Sequence, residues 1–247
     1  MASTAVPDPV QRPPRHRLRR GLRALSTILI VSGLMLILDA ALTLVWQEPI
    51  SAVYARLQQR QLAGKLDNRL ANLTQLQLRA LDRLRTERRR VAFLARVLRR
   101  EVKPGDAIGR IKIKRSGTNF VVVEGTDPGD LRKGPGHYSD TSIPGLPGTV
   151  AIAGHRTTYL APFRRLNQLR AGDLITIDMP YARFVYRFSS KHIVSPKAYR
   201  YVTRRRRFDQ LALTACHPLY SAAQRIVVFA RLADVQARGR ARVAPSL

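Results

Sequence analysis

The chain has 247 residues, enough for one good-sized domain with appendages, and Lys and Arg outnumber Asp and Glu 44 to 16 for a net charge of +28. Such an excess points to a membrane surface or another polyanion, but there is no zinc-finger spacing, no aromatic ribonucleoprotein motif and no basic region followed by heptads, so no nucleic-acid partner is expected. The single cysteine excludes an internal disulfide and leaves either a buried inert thiol or a reactive one.

Residues 1–23 are rich in Pro and Arg and read as a disordered basic tail. Residues 24–46, ALSTILIVSGLMLILDAALTLVW, are apolar apart from Asp39, and a helix of that length covers the roughly 30 Å hydrocarbon core. Trp46 is placed at the far interface. A cleaved signal peptide, with residues 25–38 as its apolar region, is the rival reading, but apolar character resumes at once in residues 40–46. Arg12, Arg15, Arg17, Arg19, Arg20 and Arg23 precede the span, against Arg56, Arg60 and Lys65 soon after it. The positive-inside rule then predicts a single-pass protein with its N-terminus cytoplasmic and the rest extracellular.

Residues 47–104 are expected to form a helical stalk, with Leu62, Leu66, Leu70 and Leu73 at three- and four-residue steps. Lys103-Pro104-Gly105-Asp106 marks its end. From 105 to 233 short apolar runs alternate with Gly and Pro, at 107–114, 120–124, 149–154, 173–179, 183–188, 192–194, 211–215 and 226–232. Eight candidate strands predict a mainly β domain, either a closed barrel or a sandwich. Residues 162–169 read as one short helical insert, with Phe163, Leu166 and Leu169 on one face and Gly172 ending it. Residues 234–247 read as a polar tail.

The chemistry-bearing residues fall at strand ends. Cys216 closes the run 211–215, and Arg225 opens the next. A thiol needs an adjacent group to become a nucleophile; histidine can supply that and later hand a proton to a leaving amine. Arginine only donates, so it suits the oxyanion of an acyl transfer rather than the base. Of the five histidines, His16 lies in the tail, His192 inside a strand, His137 in a tight turn and His217 directly after the cysteine. His155 ends an apolar strand where the backbone turns on Gly154. No His, Cys and carboxylate cluster has metal-ligand spacing, and no metal or cofactor is expected.

The order His, Cys, Arg, in the contexts AIAGHRTTYLAPF, LTACHP and QRIVVFARL, resembles the sortases, most of all class E. The resemblance runs from 105 to 232 and includes GDLRKGPGHYSDTSIPGLPGTVAIAGHR. It implies an eight-stranded β-barrel, a membrane tether and a cysteine transpeptidase. On that pattern Cys216 attacks the Thr–Gly carbonyl of a C-terminal sorting signal, Leu-Ala-x-Thr-Gly rather than Leu-Pro-x-Thr-Gly. His155 protonates the departing amine, and Arg225 holds the oxyanion or positions the substrate. The implied partners are exported proteins bearing that signal, with a cell-wall precursor or a protein amine as acceptor.

One departure stands out. The position before the cysteine is usually threonine in the family and here is Ala215. Strand alternation puts Thr214 rather than Ala215 on the side of the thiol. Thr214, Tyr159 and His217 are therefore the candidate substrate contacts. The arginine run 204–207 reads as a solvated charge run or the wall of a substrate groove. A catalytically idle, membrane-tethered basic module that binds cell-wall polyanions or nucleic acid is the alternative from a different class. A pilus-polymerising enzyme is disfavoured by the polar C-terminal residues.

Overall fold

The structure is a computed structural model that describes residues 15–46, 49–68, 70, 73–204 and 208–243. Most of the predicted basic tail, residues 205–207 of the arginine run, the side chain of Trp46 and the last four residues lie outside the described residues.

The chain divides after Trp46 into two compact units. The first contains helix α1 (Arg15–Trp46), 32 residues long. Its stretch Arg19–Ala41 has 23 residues, with an 18-residue window of mean hydropathy 2.1 in which none is buried, and is long and apolar enough to cross a membrane. The helix begins well before the predicted span, so residues 15–23 are helical rather than disordered. No proline follows Pro14 until Pro49, and the intervening Arg and Leu are good helix formers.

In the second unit, helices α2 (Pro49–Asp67), α3 (Gln75–Asp82) and α4 (Glu87–Glu101) precede the strands. Thr74 caps α3 in a reciprocal box, its hydroxyl accepting from the Gln77 N–H at 3.2 Å while the Gln77 amide oxygen accepts from the Thr74 N–H at 2.8 Å. These helices do not form a free stalk. Leu62 and Leu66 of α2 pack on Ala107, Val121 and Val123, while Val91, Leu94, Ala95 and Leu98 of α4 enter the main core. Each of the α4 side chains larger than alanine contributes on the order of 1.5–3 kcal/mol through burial. The Gln59 side chain adds a strand-like pair of bonds, accepting from Val121 N–H at 2.7 Å and donating to its carbonyl at 3.0 Å.

The strands are β1 (Ala107–Ile113), β2 (Thr118–Glu124), β3 (Gly136–His137), β4 (Thr149–Ala153), β5 (Leu174–Asp178), β6 (Ala182–Val194), β7 (Gln210–His217) and β8 (Gln224–Ala237). They close into a barrel in the order β1-β2-β3-β4-β7-β8-β6-β5. The β2–β3 and β4–β7 pairs are parallel and the others antiparallel. The expected count of eight strands conceals two differences. Runs 183–188 and 192–194 are one strand, β6, because the polar residues Ser189, Ser190 and Lys191 continue it along β8. The two-residue β3 carries too little sequence to show a period.

Alternation sorts the barrel wall. Val150, Ile152, Leu211, Leu213, Ala215, Ile226 and Val228 face the interior core. Ala151, Ala212, Val227 and Phe229 form a second cluster on the outer face with Val202 of a short helix, α5 (Tyr199–Thr203). The predicted helical insert is a single 3-10 turn at Leu166–Gln168, although Phe163, Leu166 and Leu169 are all buried as expected. The predicted polar tail is also shorter than expected. Strand β8 runs to Ala237, Ala241 is fully buried, and the Arg242 carbonyl accepts from Arg90 of α4.

Candidate active site

Cys216 lies at the end of β7, half-buried, directly opposite Arg225 of β8 in the antiparallel register. Directly opposed residues share a face, with Cβ atoms about 4.5–5.5 Å apart. That face is the outer one, since Arg225 alternates in phase with Val227 and Phe229. Thr214 lies on it too, two residues before the cysteine, with its hydroxyl 3.0 Å from the Tyr138 hydroxyl. Ala215 faces the barrel interior.

Strand β4 brings the histidine alongside. Ala153 pairs with Thr214 in the parallel register, and the Gly154 N–H donates to the Thr214 carbonyl at 3.0 Å. His155 therefore leaves β4 at the level where Cys216 leaves the barrel wall. Gly154 is required for this exit, because a Cβ there would stand 2.5 Å from the ring of the buried Phe163.

His155 is held in an unusual setting. Its Nε2 is buried and has no hydrogen-bond partner among the described residues. The Tyr159 ring packs against it at a centroid distance of 5.2 Å. Burial lowers the His155 pKa from the ordinary histidine value, and the nearby Arg132 lowers it further. Neutral imidazole is therefore favoured at neutral pH. The loop that carries Tyr159 is strained, with Tyr159, Leu160 and Ala161 at φ of 48°, 63° and 42°. Such left-handed conformations cost non-glycine residues about 1–2 kcal/mol each.

Arg225 is half-committed. One terminal nitrogen, Nη1, donates to the carbonyls of Ala222 at 2.9 Å and Gln224 at 3.0 Å, which folds the guanidinium over its own loop.

A second arginine at the site carries no signal in the sequence. Arg156, only 4 % exposed, donates through Nη1 to the Cys216 carbonyl at 3.2 Å and approaches His217 Nδ1 at 3.2 Å. Its Nε and Nη2 donate to the Arg164 carbonyl at 3.3 and 3.2 Å, and Nη2 also reaches the Asn167 amide oxygen at 3.1 Å. Arginine only donates, so His217 Nδ1 must accept here and carry its proton on Nε2. His217, expected beside the substrate, is thus tied to Arg156. Among the described residues no group of His, Cys, Asp and Glu could hold a metal ion.

Of the sequence-predicted residues, Cys216, Arg225 and Thr214 share one face of the wall, and His155 with Tyr159 stands beside them. His137, read as part of a turn, is buried in β3, 2.8 Å from the Glu124 carboxylate and 2.9 Å from the Ser142 carbonyl.

Residues 111–233 match the family model for the sortase domain. Sortase D of Bacillus subtilis is 32% identical over 130 residues, 51% of this chain and 64% of that protein. Sortase SrtE1 of Streptomyces coelicolor is 25% identical over 233 residues, 88% of this chain and 59% of that protein. The solved structure of sortase E from Streptomyces avermitilis is 31% identical with a TM-score of 0.50, covering 55% of this chain and 93% of that one. A closed barrel with cysteine, histidine and arginine at one strand end, set beside these similarities, assigns the chain to the sortase family, where it is class E-like. The chain spans about three fifths of the length of the two curated relatives, whose matched shares are 64% and 59%.

Proposed function

We propose that the protein is a membrane-tethered cysteine transpeptidase that cleaves a C-terminal sorting signal between Thr and Gly and transfers the exported protein to an amine. The observation that carries this reading is the register that sets Cys216 opposite Arg225 and at the level of His155.

Neutral His155 takes the thiol proton, and the Cys216 sulfur forms a bond to the Thr carbonyl carbon. Arg225 stabilises the oxyanion that develops, using the guanidinium nitrogens not engaged by its own loop. Collapse breaks the Thr–Gly bond, and imidazolium returns its proton to the departing glycine amine. The thioacyl enzyme then meets an acceptor amine, supplied by a cell-wall precursor or a second protein. His155 takes the amine proton, and the thiolate leaves and is reprotonated. Tyr159 and Thr214 border the path of the signal peptide. The apolar helix α1 serves as an anchor with its arginine-flanked end in the cytoplasm and the barrel outside.

An idle basic module is the weaker reading. It gives no reason for a buried, unpartnered imidazole nitrogen next to a half-exposed thiol, since such a nitrogen is costly unless a reactant uses it. The signal preference is tested by transfer of a labelled amine to Leu-Ala-x-Thr-Gly and Leu-Pro-x-Thr-Gly peptides. Faster transfer to the first supports the class E assignment. Equal or reversed rates contradict it.

A further inference from the structure

The high positive charge is not consumed by the catalytic site. Helix α4 shows where part of it collects. At 100° per residue, Arg88, Arg89, Arg96, Arg99 and Arg100 fall within an arc of about 120° and extend along about 18 Å of axis. All five are exposed, and a separate arc of about 100° carries the buried residues Val91, Leu94, Ala95 and Leu98. Among the described residues none of the five pairs with a carboxylate.

This face opens into a cleft of about 650 Å³ lined by Arg96, Arg99 and Arg100, by Thr203 of α5, and by the segment from Asp140 to Thr149. The cleft lies at the start of β4 and β7, whereas Cys216 and His155 stand at their ends. Arg204, far from α4 in the sequence, lies beside this rim. The Thr149 hydroxyl donates to the Arg204 carbonyl at 2.8 Å. Among the described residues the lining has three arginines and one carboxylate, Asp140. Two of the arginines sit in the last helical turn and offset the helix dipole, but Arg88, Arg89 and Arg96 lie outside that turn.

From this we infer that the cleft and the arginine face of α4 bind a linear phosphodiester polymer of the polyol-phosphate class, at a site separate from the thiol. Regularly placed guanidiniums along a helix match charges repeated along a chain, and each can hold a phosphate through paired N–H groups. Among the described residues the lining contains no aromatic side chain on which a base could stack, which disfavours single-stranded nucleic acid. The concave shape, without exposed apolar side chains between the arginines, disfavours a flat bilayer surface. The role is to hold the enzyme against a phosphate-rich polymer while the opposite end of the strands works on peptide.

The test uses the full chain in zwitterionic nanodiscs and a fluorescent glycerol-phosphate oligomer as probe, read by anisotropy. Binding should weaken with salt at a log–log slope of about −2 to −3.5, as expected for three phosphates neutralised in the cleft and up to five along the helix face on a single strand. Changing Arg96, Arg99 and Arg100 together to Gln should weaken binding roughly tenfold or more while sorting-peptide cleavage is retained. Cys216→Ala should bind the oligomer like the unaltered chain, so a failure of the transpeptidase reading leaves this one standing. The proposal is overturned if the triple variant binds like the unaltered chain. It is equally overturned if oligothymidylate or anionic phosphatidylglycerol vesicles displace the oligomer at equal phosphate concentration.

Discussion

The guanidinium of Arg156 donates to the carbonyl of Cys216 at 3.2 Å, and its other hydrogen bonds run to neutral acceptors in the 164–167 loop and to His217. A nearly buried cation thus stands behind Cys216 and ties the end of β7 to the loop that follows His155. Arg156→Gln leaves the Cys216, Arg164 and Asn167 oxygens without these donors. It should cost about 2–4 kcal/mol of stability and lower kcat more than it raises KM. Arg156→Lys should recover only part of this, because an ammonium cannot span acceptors set around a planar fork. Chemical denaturation and steady-state cleavage of both variants provide the check.

Gly154→Ala should damage the site through packing alone. The added methyl would meet the ring of Phe163 at 2.5 Å, and Phe163 is fully buried. Overpacking of this kind costs about 1–3 kcal/mol, and relief requires the His155 loop to move. Cleavage should fall at temperatures where the variant is still folded by circular dichroism.

The lowered pKa of His155 has two consequences of opposite kind. On the proposed mechanism activity depends on neutral imidazole, so the acid limb of kcat/KM should fall below the ordinary histidine value of 6.5. Stability runs by linkage. Below pH 6.5 the unfolded chain binds a proton at this position that the folded chain resists, so the histidine destabilises the fold as pH falls through that window. His155→Asn should therefore abolish cleavage yet lose less stability than the unaltered chain between neutral pH and the depressed pKa. Tyr159→Ala exposes the ring and should move the acid limb upward. Titrations of rate and of thermal midpoint distinguish these outcomes.

The helices before the barrel belong to its core. Leu94 is 1 % exposed and shares a cluster with Phe184 and Ile152. Leu94→Ala should cost about 2–5 kcal/mol. A fragment starting at residue 105 leaves the contacts of Val91, Leu94 and Leu98 open and should unfold at lower temperature than one starting at residue 47. Equal melting of the two fragments would count against this packing.

The candidate set Cys216, His155 and Arg225 was legible in the sequence because such chemistry is confined to few side-chain types. One cysteine, a histidine after an apolar strand and an arginine opening the next strand already suggest an acyl-transfer set. The alternation of β7 also indicated that Thr214, and not Ala215, shares the face of the thiol. Arg156 was not legible. An arginine in a loop reads as solvated, and its burial depends on three segments that meet only in the fold. The docking of α4 was hidden for a related reason. Its arginine-rich composition masks an apolar stripe, Val91, Leu94, Ala95 and Leu98, that becomes evident only when a partner surface is present. The register of β4 against β7, which sets His155 beside Cys216, rests on a parallel pairing across more than fifty residues that no local pattern encodes.

The central claim is that the sulfur of Cys216 becomes acylated by a sorting signal. Intact-mass spectrometry of the full chain after brief exposure to a Leu-Ala-x-Thr-Gly peptide measures this directly. The account predicts a mass gain equal to the peptide through its threonine acyl group, mapped to Cys216, reversed by an added amine and absent in Cys216→Ala. Undiminished peptide cleavage by Cys216→Ala, or an adduct on any other residue, would contradict it.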